Sequence, residues 1–503
     1  MRLSRLASLV ALPFALPLAL GLAAGSAGCS AAIDDEAAAN SEDELNYRST
    51  AGQEFALTTR VTFKPSAAIT ALQGAEKDAA VRAKADELRL AVTTAITGEL
   101  DRIWPEDQRI SDAGVAIQFR QDTATTGALD AIAEGYAFTV NAEFAGVNDL
   151  LRKLPLTTEG GKTFLPVPAT LDGEALKLQV FITPIERSRN AYPRYLALFA
   201  DGLDIAVHVG GDHNDPPKDI DHARSIYDDL VASGFRSPVA RFEDLKIDSG
   251  PLTSAIKVKG AEVAVRVRIV HVDMSTPDTR QLLVDAYKAS AKSSDVVIYD
   301  GHAGRSLGYS GVVVAYKPAR VAIPAATFKD IESTDKQQVY LFNGCETYTG
   351  YADELYKNPK RNPENTDVIT TGNYSAIQSK ANQVIAFIHS FIDGRGGAWI
   401  PRSWDSVLAR MNAVGERSWV HVYGVHGIDE NPKVSPLADV RKVGASCTQD
   451  ADCGAADSRC LQISSSRRVC GVACADSAGC PSGTKCVLPR GRTSRDDYQC
   501  SAR

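Results

Sequence analysis

Asp295-Val-Val-Ile-Tyr-Asp-Gly-His302-Ala-Gly304 and Gln338-Val-Tyr-Leu-Phe-Asn-Gly-Cys345-Glu-Thr347 are built alike. Each is a compact apolar run that stops at a glycine beside a reactive side chain. An apolar run of roughly four to eight residues bounded by turn residues is the pattern of a strand buried on both faces, as in a parallel sheet. Ligands of open α/β sheets sit beyond the carboxyl ends of the strands. A His and a Cys delivered there by neighbouring strands suit a base and a nucleophile. Either residue alone is more often part of a core. The matching context of the two is what singles them out.

Around these runs the chain alternates strand and helix. Leu203 to Val209 reads as a strand ending in Gly210-Gly-Asp212-His213-Asn-Asp215, and Asp221 to Val231 as a helix. Glu262 to His271 is a longer, more alternating strand, nearer an edge. Asp278 to Ala291 is a helix with Leu282, Leu283, Ala286 and Tyr287 on its apolar side. After the two opening runs come a strand at Asp367–Thr371, helices at Ala376–Ile392 and Trp404–Val414, and a last strand at Trp419–Tyr423. This order predicts an α/β domain over residues 193–440, with a mostly parallel sheet flanked by helices.

A length of 503 residues exceeds what one core fills. Residues 51–192 read as an α+β domain of unassigned role. Phe55–Phe63, Val115–Phe119, Tyr136–Phe144 and Leu176–Ile185 have strand composition. Val81, Leu88, Val92, Ile96, Leu100 and Ile103 recur at helical spacing before Pro105. Residues 1–29 form a signal peptide, with Arg2 and Arg5 ahead of an Ala/Leu-rich stretch. No later stretch is long and apolar enough to span a bilayer. Residues 30–50 are an Ala, Ser, Asp and Glu-rich tether. A net charge of −7 without a long basic run argues against nucleic acid as a partner.

The chain has ten cysteines. Eight of them, Cys447, Cys453, Cys460, Cys470, Cys474, Cys480, Cys486 and Cys500, crowd the 445–503 segment. In an exported chain they predict a disulfide module, with pairing not deducible from spacing. Zinc would need reduced thiolates, which export disfavours, so no metal is expected. Cys29 stands at the processing site. That leaves Cys345 alone, predicted to be a free thiol.

A strand ending in Gly-His302-small, then one ending in Gly-Cys345-Glu-Thr, resembles the caspase-like cysteine peptidases. Asn343-Gly-Cys345-Glu-Thr347 looks most like their bacterial CHAT members, and the exported, domain-flanked setting looks like gingipains. The resemblance covers about residues 195–435. It implies a caspase-like fold and a cysteine endopeptidase that works through a thioester acyl-enzyme, without a cofactor, on a protein or peptide substrate. His302 and Cys345 would be the dyad. Backbone N–H groups of Ala303 and Cys345 would form the oxyanion hole, and Asp300 or Glu346 would orient His302. Asp212, His213, Asn373 and Tyr374 would help build the substrate pocket; Asp212–Asp215 also reads as a plain turn and helix start. Ala303 departs from the Gly usual after the catalytic His, which costs strain only where the backbone needs φ > 0.

Ala24-Gly-Ser-Ala-Gly-Cys29-Ser30 resembles a bacterial lipoprotein cleavage box, with Ser26 in place of the usual Leu. It implies lipid on Cys29 and an outer-membrane or cell-surface location in a Gram-negative-type bacterium, or secretion if the box is cut without lipidation. Two other functions fit the same residues: an inactive peptidase-like surface protein that binds or adheres, and a transpeptidase. Oligomeric state and substrate identity are not legible.

Overall fold

The computed structural model describes residues 53–105, 117–146, 150–184, 190–212, 218–304, 311–348, 350–372, 375, 380–395, 397–414, 421–428 and 430–501. Cys29 and the expected leader and tether, His213, Asn373 and Tyr374 lie outside these residues, as do the expected start of a strand at Val115 and of another at Trp419.

The first domain is an antiparallel sheet crossed by one long helix. Its strands are β1 (Gln53–Phe63), β2 (Ile117–Thr126), β3 (Asp130–Ile132), β4 (Gly135–Gly146), β5 (Thr157–Glu159), β6 (Lys162–Leu171) and β7 (Glu174–Pro184). They run in the order β2-β4-β1-β7-β6-β5, with β3 added to β4. Phe55, Leu57 and Val61 alternate inward along β1, as the two-residue strand period requires. They meet Val81, Leu88, Val92, Ile96 and Leu100 from the helix Gly74–Ile103. The same apolar cluster reaches Val422 of the second domain.

The second domain contains β8 (Leu203–Val209), β9 (Leu252–Val258), β10 (Ala261–Val270), β11 (Val296–Asp300), β12 (Val312–Ala315), β13 (Val321–Ile323), β14 (Gln338–Asn343), β15 (Thr366–Thr371), β16 (Gly394–Arg395), β17 (Ala398–Trp399) and β18 (Tyr423–His426). Its main sheet runs β18-β15-β14-β11-β8-β10-β9. The strands β10, β8, β11, β14 and β15 are parallel. Both edges, β9 and β18, are antiparallel, so the sheet is mixed. The edge strand β9 and the β12–β13 and β16–β17 hairpins had no clear sequence signal. The last strand spans Tyr423–His426, with Tyr423 opposite Thr371 at the end of β15.

Every residue of β11 and β14 is buried, which is why neither run alternates. Val296, Ile298, Val339 and Leu341 face the helices Asp219–Ala232, Lys380–Ile392 and Trp404–Ala413. Val297, Tyr299, Tyr340 and Phe342 face the helix Gln281–Ser293 on the other side. That helix buries Leu283, Val284, Tyr287, Ser290 and Ala291. This stripe at steps of one, four, seven and eight residues leaves Leu282 outside it, 49% exposed, contrary to the sequence reading.

The tail carries β19 (Arg459–Gln462), β20 (Arg468–Ala473), β21 (Lys485–Val487) and β22 (Gln499–Ser501). Its disulfides join Cys447–Cys460, Cys453–Cys470, Cys474–Cys486 and Cys480–Cys500. In each half the first Cys pairs with the third and the second with the fourth, so the tail is one unit used twice. Pairing of β20 with β22 joins the halves. Closing loops of this size contributes about 3 kcal/mol each in the chain-entropy picture, which offsets a core of only a few side chains. The tail docks at the amino edge of the sheet, against the start of the helix Trp404–Ala413. Asp496 pairs with Arg402 and Asp405 with Arg495. Ser435 N donates to Ala473 O at 3.0 Å, and Ala475 N to Lys433 O at 2.8 Å.

Two buried imidazoles tie this fold to pH. His208 bonds Ser290 Oγ through Nε2 at 3.0 Å, and His271 stacks on Phe242 at 4.8 Å. Burial, helped by Arg268 and Arg224, pushes them from the usual 6.5 down to about 3 and about 4. For His271, Asp273 opposes the shift. Both stay neutral when folded and charge in the unfolded chain. Their stability contribution is therefore present above about pH 6.5 and is lost as pH falls toward the folded values. Melting temperature against pH should decline below about pH 6.5, and His271→Phe should flatten that decline. An unchanged acid limb in this variant would refute the assignment for His271.

Candidate active site

Parallel pairing sets the site. Asp300, the last residue of β11, lies opposite Asn343, the last of β14. Gly301-His302-Ala303 and Gly344-Cys345-Glu346 therefore leave the sheet side by side. They touch: a Cβ on Gly344 would stand 2.4 Å from the Ala303 Cβ and 3.1 Å from Gly301 O. Gly344 is needed for that close approach. Ala303 is not among the residues with positive φ, so its side chain carries no backbone strain. Its N–H is retained where the resemblance expects an oxyanion donor. The third strand joins through Gly210, whose N–H donates to Asp300 O at 2.8 Å.

His302 and Cys345 are 6% and 1% exposed, so the site is closed. The His302 carbonyl accepts from the Tyr299 hydroxyl at 2.5 Å, and its ring lies 5.6 Å from that of Tyr316. The turn of Cys345 is held from β15 and beyond. Thr347 Oγ1 donates to Phe342 O at 2.8 Å and accepts from Thr371 N at 2.9 Å. Thr371 Oγ1 and Ser375 Oγ both donate to Gly344 O, the latter at 2.9 Å. A trans peptide points its C=O and N–H in opposite directions. Fixing the Gly344 carbonyl toward Thr371 and Ser375 therefore turns the Cys345 N–H away from them. Ser375 N also donates to Cys345 Sγ at 3.4 Å, a bond that favours a negatively charged sulfur. Glu346, which follows, is buried at φ +52°, a left-handed conformation costly for a side-chain-bearing residue.

The expectation of a free thiol is not met. Cys345 is disulfide-bonded, with its partner sulfur outside the described residues. Counting cysteines assigned roles by elimination, and elimination cannot see which sulfurs meet in space.

Asp300 Oδ1 accepts from Asn343 Nδ2 at 2.9 Å, and Oδ2 lies 3.2 Å from His222 Nδ1. The acid considered for orienting His302 thus binds a second histidine. His222 comes from the first turn of the helix Asp219–Ala232. Asp212, only 4% exposed, accepts from the backbone N–H groups of Lys218 (2.5 Å) and Asp219 (2.9 Å). These bonds match the helix-start reading of Asp212 and fix the turn that carries His222. Sequence reading missed His222, Thr371 and Ser375. Thr371 could have been flagged as the end of a buried strand; Ser375 lies in an irregular stretch with no pattern to mark it.

No family model, curated protein or solved structure matches the chain.

The contact between the two turns can be tested by a double-mutant cycle. Gly344→Ala should destabilise by about 1–3 kcal/mol through overpacking. Adding Ala303→Gly should recover a large part of the loss in chemical denaturation. Strictly additive effects would mean that the two turns do not touch.

Proposed function

We propose that the protein is an exported, latent cysteine endopeptidase of the caspase-like type. The observation that carries this reading is the in-register exit of His302 and Cys345 from neighbouring parallel strands, with their turns in contact. Reduction of the Cys345 disulfide by an external thiol comes first and yields the Cys345 thiol. His302 then takes the thiol proton, and Sγ attacks a peptide carbonyl. The oxyanion is held by the N–H groups of Ala303 and Cys345. Losing one such donor typically slows catalysis by roughly a hundredfold or more. His302 returns the proton to the departing amine, and water releases the acyl group from sulfur. Ser375 favours the thiolate through its N–H and sets the Cys345 amide through its hydroxyl.

The disulfide-rich tail agrees with an extracellular setting. Lipidation at Cys29 would bear on latency as well as location, because it consumes that thiol. With eight of the ten cysteines paired in the tail, a lipidated chain has no second thiol of its own for Cys345.

A second reading, an inactive surface protein using a peptidase-like sheet, draws on the burial of both residues and on the disulfide. Peptidase assays with and without a mild thiol reductant separate the two. The endopeptidase reading expects activity that requires reductant, is abolished in Cys345→Ala and falls by roughly a hundredfold or more in His302→Ala. Activity unaffected by Cys345→Ala would refute the Cys345 nucleophile, and no activity after reduction would favour the second reading. Aminolysis products formed with added amine would mark a transpeptidase.

A further inference from the structure

From the charge layout of the tail we infer that its outer groove is a docking site for an acidic peptide segment of a protein partner. The groove, about 760 Å3, runs over the small sheet of the tail between Arg459–Ser465 and Val487–Arg492. Arg468, Arg490 and Arg492 line it, and all three are exposed. None of the three forms an ion pair with a described residue. The Arg468 guanidinium donates from Nη1 to Thr448 O at 3.1 Å.

The acidic residues of the tail are engaged elsewhere. Asp496 pairs with Arg402, Asp497 with Arg459, and buried Asp457 accepts from Ser435. Asp452 and Asp476 accept from backbone N–H groups of their own turns. Among the described residues that line the groove only Asp450 is acidic, and it accepts from Cys460 N at 2.8 Å. Asp457 and Asp497 are buried, exposed Asp452 is bonded within its own turn and Asp450 lies 3.8 Å from Arg459, while these three guanidinium groups face outward into the concavity.

Arginine rather than lysine supplies every cation lining the groove, and its planar fork suits bidentate binding of carboxylates. Ile463, 40% exposed, with Leu488 and Pro489, supplies apolar surface between the charges. Among the described residues no aromatic ring lines the groove. Single-stranded nucleic acids are gripped by stacking on such rings, and sugar rings commonly pack on them. A peptide with carboxylates interrupted by aliphatic side chains matches all of these features. The tail docks at the amino edge of the main sheet, away from His302 and Cys345, so the groove would act as a separate recruitment surface. It does not depend on the peptidase reading.

The test uses the oxidised full chain and poly-L-glutamate as probe, with heparin and neutral dextran in parallel, read by fluorescence anisotropy at two ionic strengths. Poly-L-glutamate should bind, more weakly at higher salt, and affinity should fall roughly tenfold or more in Arg468→Ser/Arg490→Ser/Arg492→Ser. The single variant Arg490→Glu, on an exposed loop, should weaken binding without altering non-reducing mobility. Absence of binding, equal binding by the triple variant, or binding of heparin but not poly-L-glutamate would each overturn the inference.

Discussion

One missing methyl group lets the centre of this molecule close. The strands β11 and β14 end in register, so the turns that follow them compete for the same space. Gly344 yields that space to the Ala303 side chain. The turn of Cys345 can then lie on the turn of His302, with Thr371, Ser375 and Thr347 locking it from the other side. A packed interior absorbs even one additional methylene poorly. The juxtaposition of the two reactive residues is therefore a packing result before it is a chemical one.

Beneath that contact the sheet changes character. Its middle rows are aliphatic, Ile205 with Val296 and Val339, then Val207 with Ile298 and Leu341. The last row, beyond Val209 of β8, is polar. Asp300 and Asn343 lie side by side, with His222 above Asp300 and, one strand over, Thr371 opposite Tyr423. A buried carboxylate is tolerated because it is bonded on both oxygens, and removing a partner from such a pair typically costs about 3–5 kcal/mol. This polar row is a rigid floor for the candidate site. The tail, stapled by four disulfides, is fastened at the opposite edge by Asp496 and Arg495.

Much of the second domain was legible because buried strands have an unmistakable composition. β8, β11, β14 and β15 stood out as apolar runs, and the helices between them as amphipathic stretches. The edge strand β9 escaped notice because Leu-Thr-Ser-Ala-Ile-Lys-Val, half exposed, carries little apolar signal. Leu282 was misassigned because two leucines in succession cannot both face a core, and sequence alone does not say which one does. Among site residues, His302 and Cys345 were legible from their matching positions at strand ends. His222 and Ser375 were not, since their partners lie 78 and 30 residues away in sequence.

The sequence by itself determined the order of the central strands and the helices between them, the disulfide-rich character of the tail and the two side chains that stand at strand ends. Those are local properties, written in hydrophobic period and in spacing. Only the tertiary structure decided which strands are neighbours, that both edges run antiparallel, that Asp300 serves His222, and that Cys345 is bonded rather than free. Each of these depends on distances between segments far apart in the chain, and such distances are set when the core closes.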